Sequence, residues 1–229
     1  SNLGRLDTYL LLFSVVMIVL ISKSKWIFLI PLLCLLSIAT HQIFLFTYFP
    51  VVFLLLLYEA YQRQFSIPYM VNAGVTFLTT SLSYFYVQFI AENTKLKTIE
   101  EAYYFLVERT NTFIHSGMIN YEYYQTIDYH WAHIVLLSWK RRIVLGGIIV
   151  VLLIPLWILL YNIWKKALQN CSEKAQRYLF WLMIASPLAT LPAFIFAVDW
   201  GRWFAVIVIG QFCFIFYLAY KRVKAMVLA

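Results

Sequence analysis

Two short motifs hold the residue types best suited to chemistry. His41-Gln42 closes one apolar run, and Asp199-Trp200-Gly201-Arg202-Trp203 lies between two later ones. The Arg202 guanidinium is a planar fork of donors that matches phosphate or pyrophosphate oxygens. Gly201 permits a tight turn that would let Asp199 and Arg202 face inward together. The plainer reading is an Asp199–Arg202 ion pair capping two helices beneath a belt formed by Trp200 and Trp203, and both readings stay open. His41 titrates near neutrality and could act as general acid or base. A lone histidine at a helix end can equally be a cap or an interfacial residue.

Other constellations are less specific. Asp128, His130 and His133 form D-x-H-x-x-H, whose two histidines would share a helix face. No third ligand is evident beyond His115 or Glu122, so a polar external loop is the expectation, with no metal and no cofactor. Glu108 and Arg109 stand among tyrosines and could contact sugar, the rings stacking and the carboxylate accepting from hydroxyls. Glu59 is expected to pair with Arg63, four residues on. Cys34, Cys171 and Cys213 are isolated and read as small core residues. There is no Walker A, GxGxxG, HExxH or nucleophile elbow, so cytosolic nucleotide chemistry has no support.

The elements that must position these groups follow from composition. Of 229 residues, 63% are hydrophobic and 12% charged, against roughly 25% charged in a soluble domain, and mean hydropathy is +0.79. That much apolar surface points to the bilayer as solvent. Spanning segments must then be helices or a closed barrel, and continuous apolar runs without alternation choose helices. The expected fold is an all-α, polytopic transmembrane bundle of about seven spans with one external amphipathic segment.

Residues 1–91 would carry four spans, 92–142 the extracytoplasmic aromatic segment, and 143–229 three more. The runs are 8–22, 26–40, 43–61, 67–91, 143–164, 178–198 and 203–220. Pro50 should kink the third. Pro187 and Pro192 should distort the helix before them and open room for a ligand or another helix. The fourth, studded from Asn72 to Ser83 with hydroxyls, should be packed inside the bundle with little lipid-facing surface. Between Glu92 and Arg142, Ile99, Tyr103, Leu106 and Val107 oppose Glu100, Glu101 and Glu108, which predicts an amphipathic helix at the interface.

The net charge of +8 sits mainly in clusters between runs, which suits the positive-inside rule rather than nucleic acid. With Lys221, Arg222 and Lys224 cytoplasmic, alternation also places Lys165, Lys166, Lys174, Arg177, Arg63, Lys23 and Lys25 inside. Asp7, His41 and Arg202 then lie outside. Lys140, Arg141 and Arg142 are the exception. Without an initiator Met or a signal peptide, the chain is expected to be a piece of a longer protein with earlier spans upstream.

His41-Gln42-Ile43-Phe44-Leu45-Phe46 entering a proline-containing span, paired with Asp199-Trp200-Gly201-Arg202-Trp203, resembles bacterial inner-membrane proteins of surface-polysaccharide assembly, themselves similar to O-antigen and exopolysaccharide polymerases. The resemblance runs from about residue 26 onward and rests on these two motifs; Gln42 stands where an acidic residue is expected. It implies transfer of a polyprenyl-diphosphate-linked glycan at the periplasmic face, without nucleotide sugar. Arg202 would be the diphosphate clamp and His41 a catalytic or orienting group, with Asp199 as catalytic partner and Trp200, Trp203, Gln42, Glu108 and Arg109 as substrate contacts. Expected partners are membrane lipid, the lipid-linked glycan and other envelope-assembly proteins. Two other functions fit the residues: a transporter or flippase for an amphiphile, using a hydroxyl-lined path from Asn72 to Ser83, and a non-catalytic membrane scaffold.

Overall fold

The computed structural model describes residues 6–90, 98–110, 136–196 and 200–227. Among them every regular element is helical, as continuous apolar runs without alternation require. The helices are α1 (Leu6–Lys23), α2 (Ile30–Thr40), α3 (Phe49–Gln62), α4 (Ile67–Phe85), α5 (Ile99–Thr110), α6 (Leu136–Leu152), α7 (Ile154–Gln169), α8 (Lys174–Ala185), α9 (Leu191–Phe196), α10 (Trp200–Tyr220) and α11 (Lys224–Val227).

Proline sets many of the starts. Its fixed φ and missing N–H suit the first helical turn, and α2, α3, α4 and α7 each carry one there. Pro50 therefore begins α3 instead of kinking it. A 3-10 turn, Gln42–Leu45, precedes it. Pro155 breaks the run 143–164 into α6 and α7, which meet at 59°. Pro187 and Pro192 act as expected: α8 gives way to a 3-10 turn at Ser186–Thr190 and then to the short α9.

These breaks bear on the span count. Among the described residues α10 alone is long and apolar enough to cross a membrane unaided, and Ile143–Leu152 with Ile154–Gln169 meets the same standard as a bent pair. The 21 residues of α10 reach about 31 Å, whereas the 14 of α3 reach about 21 Å, short of a core of about 30 Å. By helix length, then, the described residues carry one span, or two if the bent pair is counted, where the sequence reading expects about seven. Helix α6 begins at Leu136, ahead of the apolar run read from residue 143.

Helix α3 is the axis of the packing. Phe49, Val51, Val52, Leu55, Leu56 and Tyr58 are all buried along it. It touches α1 and α4 on one side and α8 and α10 on the other, while α2 packs between α1 and α4. At the α3–α10 crossing Gly210 faces Val51, and a Cβ there would stand 3.1 Å from Val51 Cγ2.

The surface remains apolar. Leu12 and Val19 on α1, Val71, Leu78 and Leu82 on α4, Val144 and Val151 on α6, and Phe216 on α10 are all exposed. Helix α4 thus shows a broad apolar face, not the small one expected of it. Its hydroxyls explain how: Thr79, Thr80 and Ser83 donate to the carbonyls of Val75, Thr76 and Thr79 on their own helix. They need no partner helix.

Candidate functional site

The basic clusters converge on one end of the bundle. Lys23, the last residue of α1, donates to Tyr220 Oη at 2.8 Å. Arg63, just past α3, donates to Ser24 Oγ at 2.6 Å and lies over the Tyr69 ring, 4.6 Å from its centroid. The expected pair forms, with Arg63 Nε 3.5 Å from Glu59 Oε2. Two groups that sequence reading did not connect complete it. Tyr217 donates to Glu59 Oε1 at 2.5 Å, and Lys221 is ion-paired with the same oxygen.

A second shell of contacts ties in the α7–α8 connection. Gln62 and Gln176 both donate to Tyr58 Oη, each at 3.1 Å. Tyr61 is bonded to Glu173, and Arg177 donates to the Cys171 carbonyl at 2.6 Å. Burial pushes the Cys171 thiol above its ordinary pKa.

The opposite end holds the sequence candidates. Arg202, in the first turn of α10, reaches Asp7: Nη1 donates to Asp7 Oδ2 at 2.6 Å. Asp199 itself lies outside the described residues. Gly201 forms no turn, since α10 begins at Trp200 and runs through it. The guanidinium also lies over the Trp203 ring, 4.8 Å from its centroid. Trp203 is buried, and its Nε1–H has no hydrogen-bond partner among the described residues. Tyr48, at the start of α3, is buried close enough to Asp7 to feel its charge. Arg202 is thus steered by one carboxylate and one indole from two ends of the chain.

Trp200 does a different job. Its Nε1 donates to the Phe194 carbonyl at 2.9 Å, its ring meets Phe194 edge-on, and its six-membered ring lies against Gly146 of α6. A Cβ at Gly146 would stand 2.7 Å from Trp200 Cζ3 and closer still to Cε3. We expect Gly146→Ala to cost about 1–3 kcal/mol by overpacking a rigid indole, read as a lower melting temperature in detergent. Gly147→Ala, where a Cβ meets nothing within 4 Å, should be neutral or slightly stabilising.

His41 stands at the same end, because α2 runs away from the Lys23 end. Its backbone is extended, and Nδ1 accepts from the Ile43 N–H at 3.3 Å, capping the following 3-10 turn. An accepting Nδ1 places the proton of the neutral ring on Nε2. Gln42 opens that turn, half-buried. Glu108 and Arg109 are exposed on α5, where Arg109 folds over the Phe105 ring at 4.0 Å. His115, Glu122, Asp128, His130 and His133 lie outside the described residues, and among those described no group of three metal-ligating side chains occurs.

Compared with known protein families, curated proteins and solved structures, the chain finds no match. Asp7 is the functional neighbour that sequence reading missed. The available signal was charge matching across the outer ends: it is the acidic residue nearest the start of α1, on the side assigned to Arg202.

Proposed function

We propose that this chain is a multi-pass protein of the bacterial inner membrane that takes part in cell-envelope polysaccharide assembly. In this reading it transfers or polymerises a glycan carried on a polyprenyl diphosphate at the periplasmic face. The observation that carries it is Arg202, held by Asp7 and by the Trp203 ring at the end of the bundle where His41 caps its turn. A pre-oriented guanidinium offsets the charge that develops on a diphosphate leaving group. His41 would orient the acceptor hydroxyl.

Support for the multi-pass part comes from the surface and the ends. Large apolar side chains lie exposed on most of the long helices, more than an aqueous surface tolerates in contiguous patches. Lys23, Arg63 and Lys221 come from three separate connections and converge on one end, as the positive-inside rule asks. Short helices such as α3 can lie within the bilayer when neighbouring helices and local thinning of the membrane accommodate them.

Reconstitution tests the activity. Purified protein in liposomes, given a polyprenyl-diphosphate-linked oligosaccharide, should lengthen the glycan without nucleotide sugar, read as a ladder on a gel. An unchanged substrate that accumulates in the lumen would instead establish the transporter reading. Orientation is checked separately by single cysteines at positions 41 and 201, which should react with a membrane-impermeant reagent in intact spheroplasts, while one at position 166 should not.

A further inference from the structure

A groove of about 760 Å³ runs between α7, α8 and α10. Its volume falls in the range of about 300–1,000 Å³ usual for small-molecule sites. Trp157, Leu160, Trp164, Ile184 and Ile207 form its walls, and Pro187, at the break after α8, lies along its edge. Charge is confined to one end. Lys165 and Arg177 sit there with Gln169, since α7 finishes and α8 starts on that side.

The polar groups deeper in the groove are already used. Trp164 Nε1 donates to Gln211 Oε1 at 2.8 Å. Gln211 Nε2 donates to the Met183 carbonyl at 3.0 Å and lies 3.4 Å from Ser186 Oγ. The interior therefore offers a ligand apolar contact and little else, while the mouth offers positive charge. Arg177 spends one N–H on the Cys171 carbonyl, which anchors the guanidinium at the mouth while the rest of its five-donor fork can face a ligand.

We infer that this groove binds an anionic glycerophospholipid of the cytoplasmic leaflet, with its phosphate between Lys165 and Arg177 and an acyl chain along Trp157 and Trp164. An amphiphile with a single anionic head fits a site whose polarity is concentrated at one end. Basic pockets between helices on the cytoplasmic side recognise such headgroups. The site lies at the opposite end of the bundle from Arg202. It rests on the multi-pass reading but not on glycan transfer.

The tryptophan walls supply the assay. Brominated phosphatidylglycerol or brominated phosphatidylcholine is titrated into the full chain in detergent micelles, and quenching of tryptophan fluorescence is followed. We expect a saturable phase whose midpoint for phosphatidylglycerol lies about tenfold below that for phosphatidylcholine, as one charge-assisted contact provides. K165Q/R177Q should erase that preference. K166Q/K174Q, which removes two charges from the same end without touching the groove lining, should keep it. I207W, which fills the groove and leaves every charge in place, should abolish the saturable phase for both lipids. Equal midpoints in the unaltered chain would overturn the inference. So would equal loss in the two charge pairs, an unchanged I207W curve, or displacement of phosphatidylglycerol by inorganic phosphate alone. These outcomes are independent of the glycan ladder, so failure of one reading is distinguishable from failure of the other.

Discussion

Lys221→Met should destabilise the folded chain by about 3 kcal/mol or more, and Glu59→Gln by about 1 kcal/mol. The asymmetry follows from burial. The Glu59 side chain is 4% exposed, so removing Lys221 leaves a buried carboxylate with only the more distant Arg63 to balance it, and an uncompensated buried charge costs several kcal/mol. Removing the charge on Glu59 is milder. The amide still accepts from Tyr217, and Lys221 and Arg63, 24% and 43% exposed, can turn their heads to water. The double variant should be about as stable as Glu59→Gln alone, because Lys221 has nothing left to neutralise. Denaturation in mixed micelles measures all three. Strictly additive losses would show that Lys221 and Glu59 do not act as a pair.

Arg202→Ala should lower glycan transfer by about 10²- to 10³-fold, the usual effect of removing one donor aimed at developing charge. Arg202→Lys should recover only part of that, since an ammonium has no fork to offer a diphosphate. The substitution also breaks the bond to Asp7, so a structural cause must be separated from a chemical one. Asp7→Ala does this: it breaks the same ion pair but leaves the guanidinium in place over Trp203. We expect Asp7→Ala to weaken transfer no more than about tenfold, mainly through KM. Equal losses in the two variants would mean that the pair only holds α1 against α10. Unimpaired polymer length in Arg202→Ala, at normal expression, would sink the transferase reading.

Local chemistry was legible in the residues, and long-range pairing was not. The helical character of the runs, the Glu59–Arg63 pair and the breaks at Pro187 and Pro192 all depend on neighbours within a few positions. Asp7 and Arg202 are 195 residues apart, and nothing local marks them as partners. Pro50 was misplaced for a related reason. An apolar run continuing through a proline looks like one kinked helix, yet the residues before it are an extended His41 and a 3-10 turn at Gln42–Leu45. The hydroxyls of α4 misled because a serine or threonine that satisfies itself on its own helix has the same sequence signature as one that bonds a neighbour.

Glu59 also imposes an order of events on biogenesis. In a multi-pass chain made from its amino end, α3 would reach the bilayer with Arg63 as its one nearby cation, while Tyr217 and Lys221 come from the end of α10 and just beyond it. Until those last residues emerge, the carboxylate is carried as a provisional charge in an apolar setting. Quality control could read that state directly. A nascent or truncated chain ending before residue 217 would keep α3 poorly seated and available to insertases and membrane proteases, whereas arrival of the final helix would latch the first half of the bundle to the second.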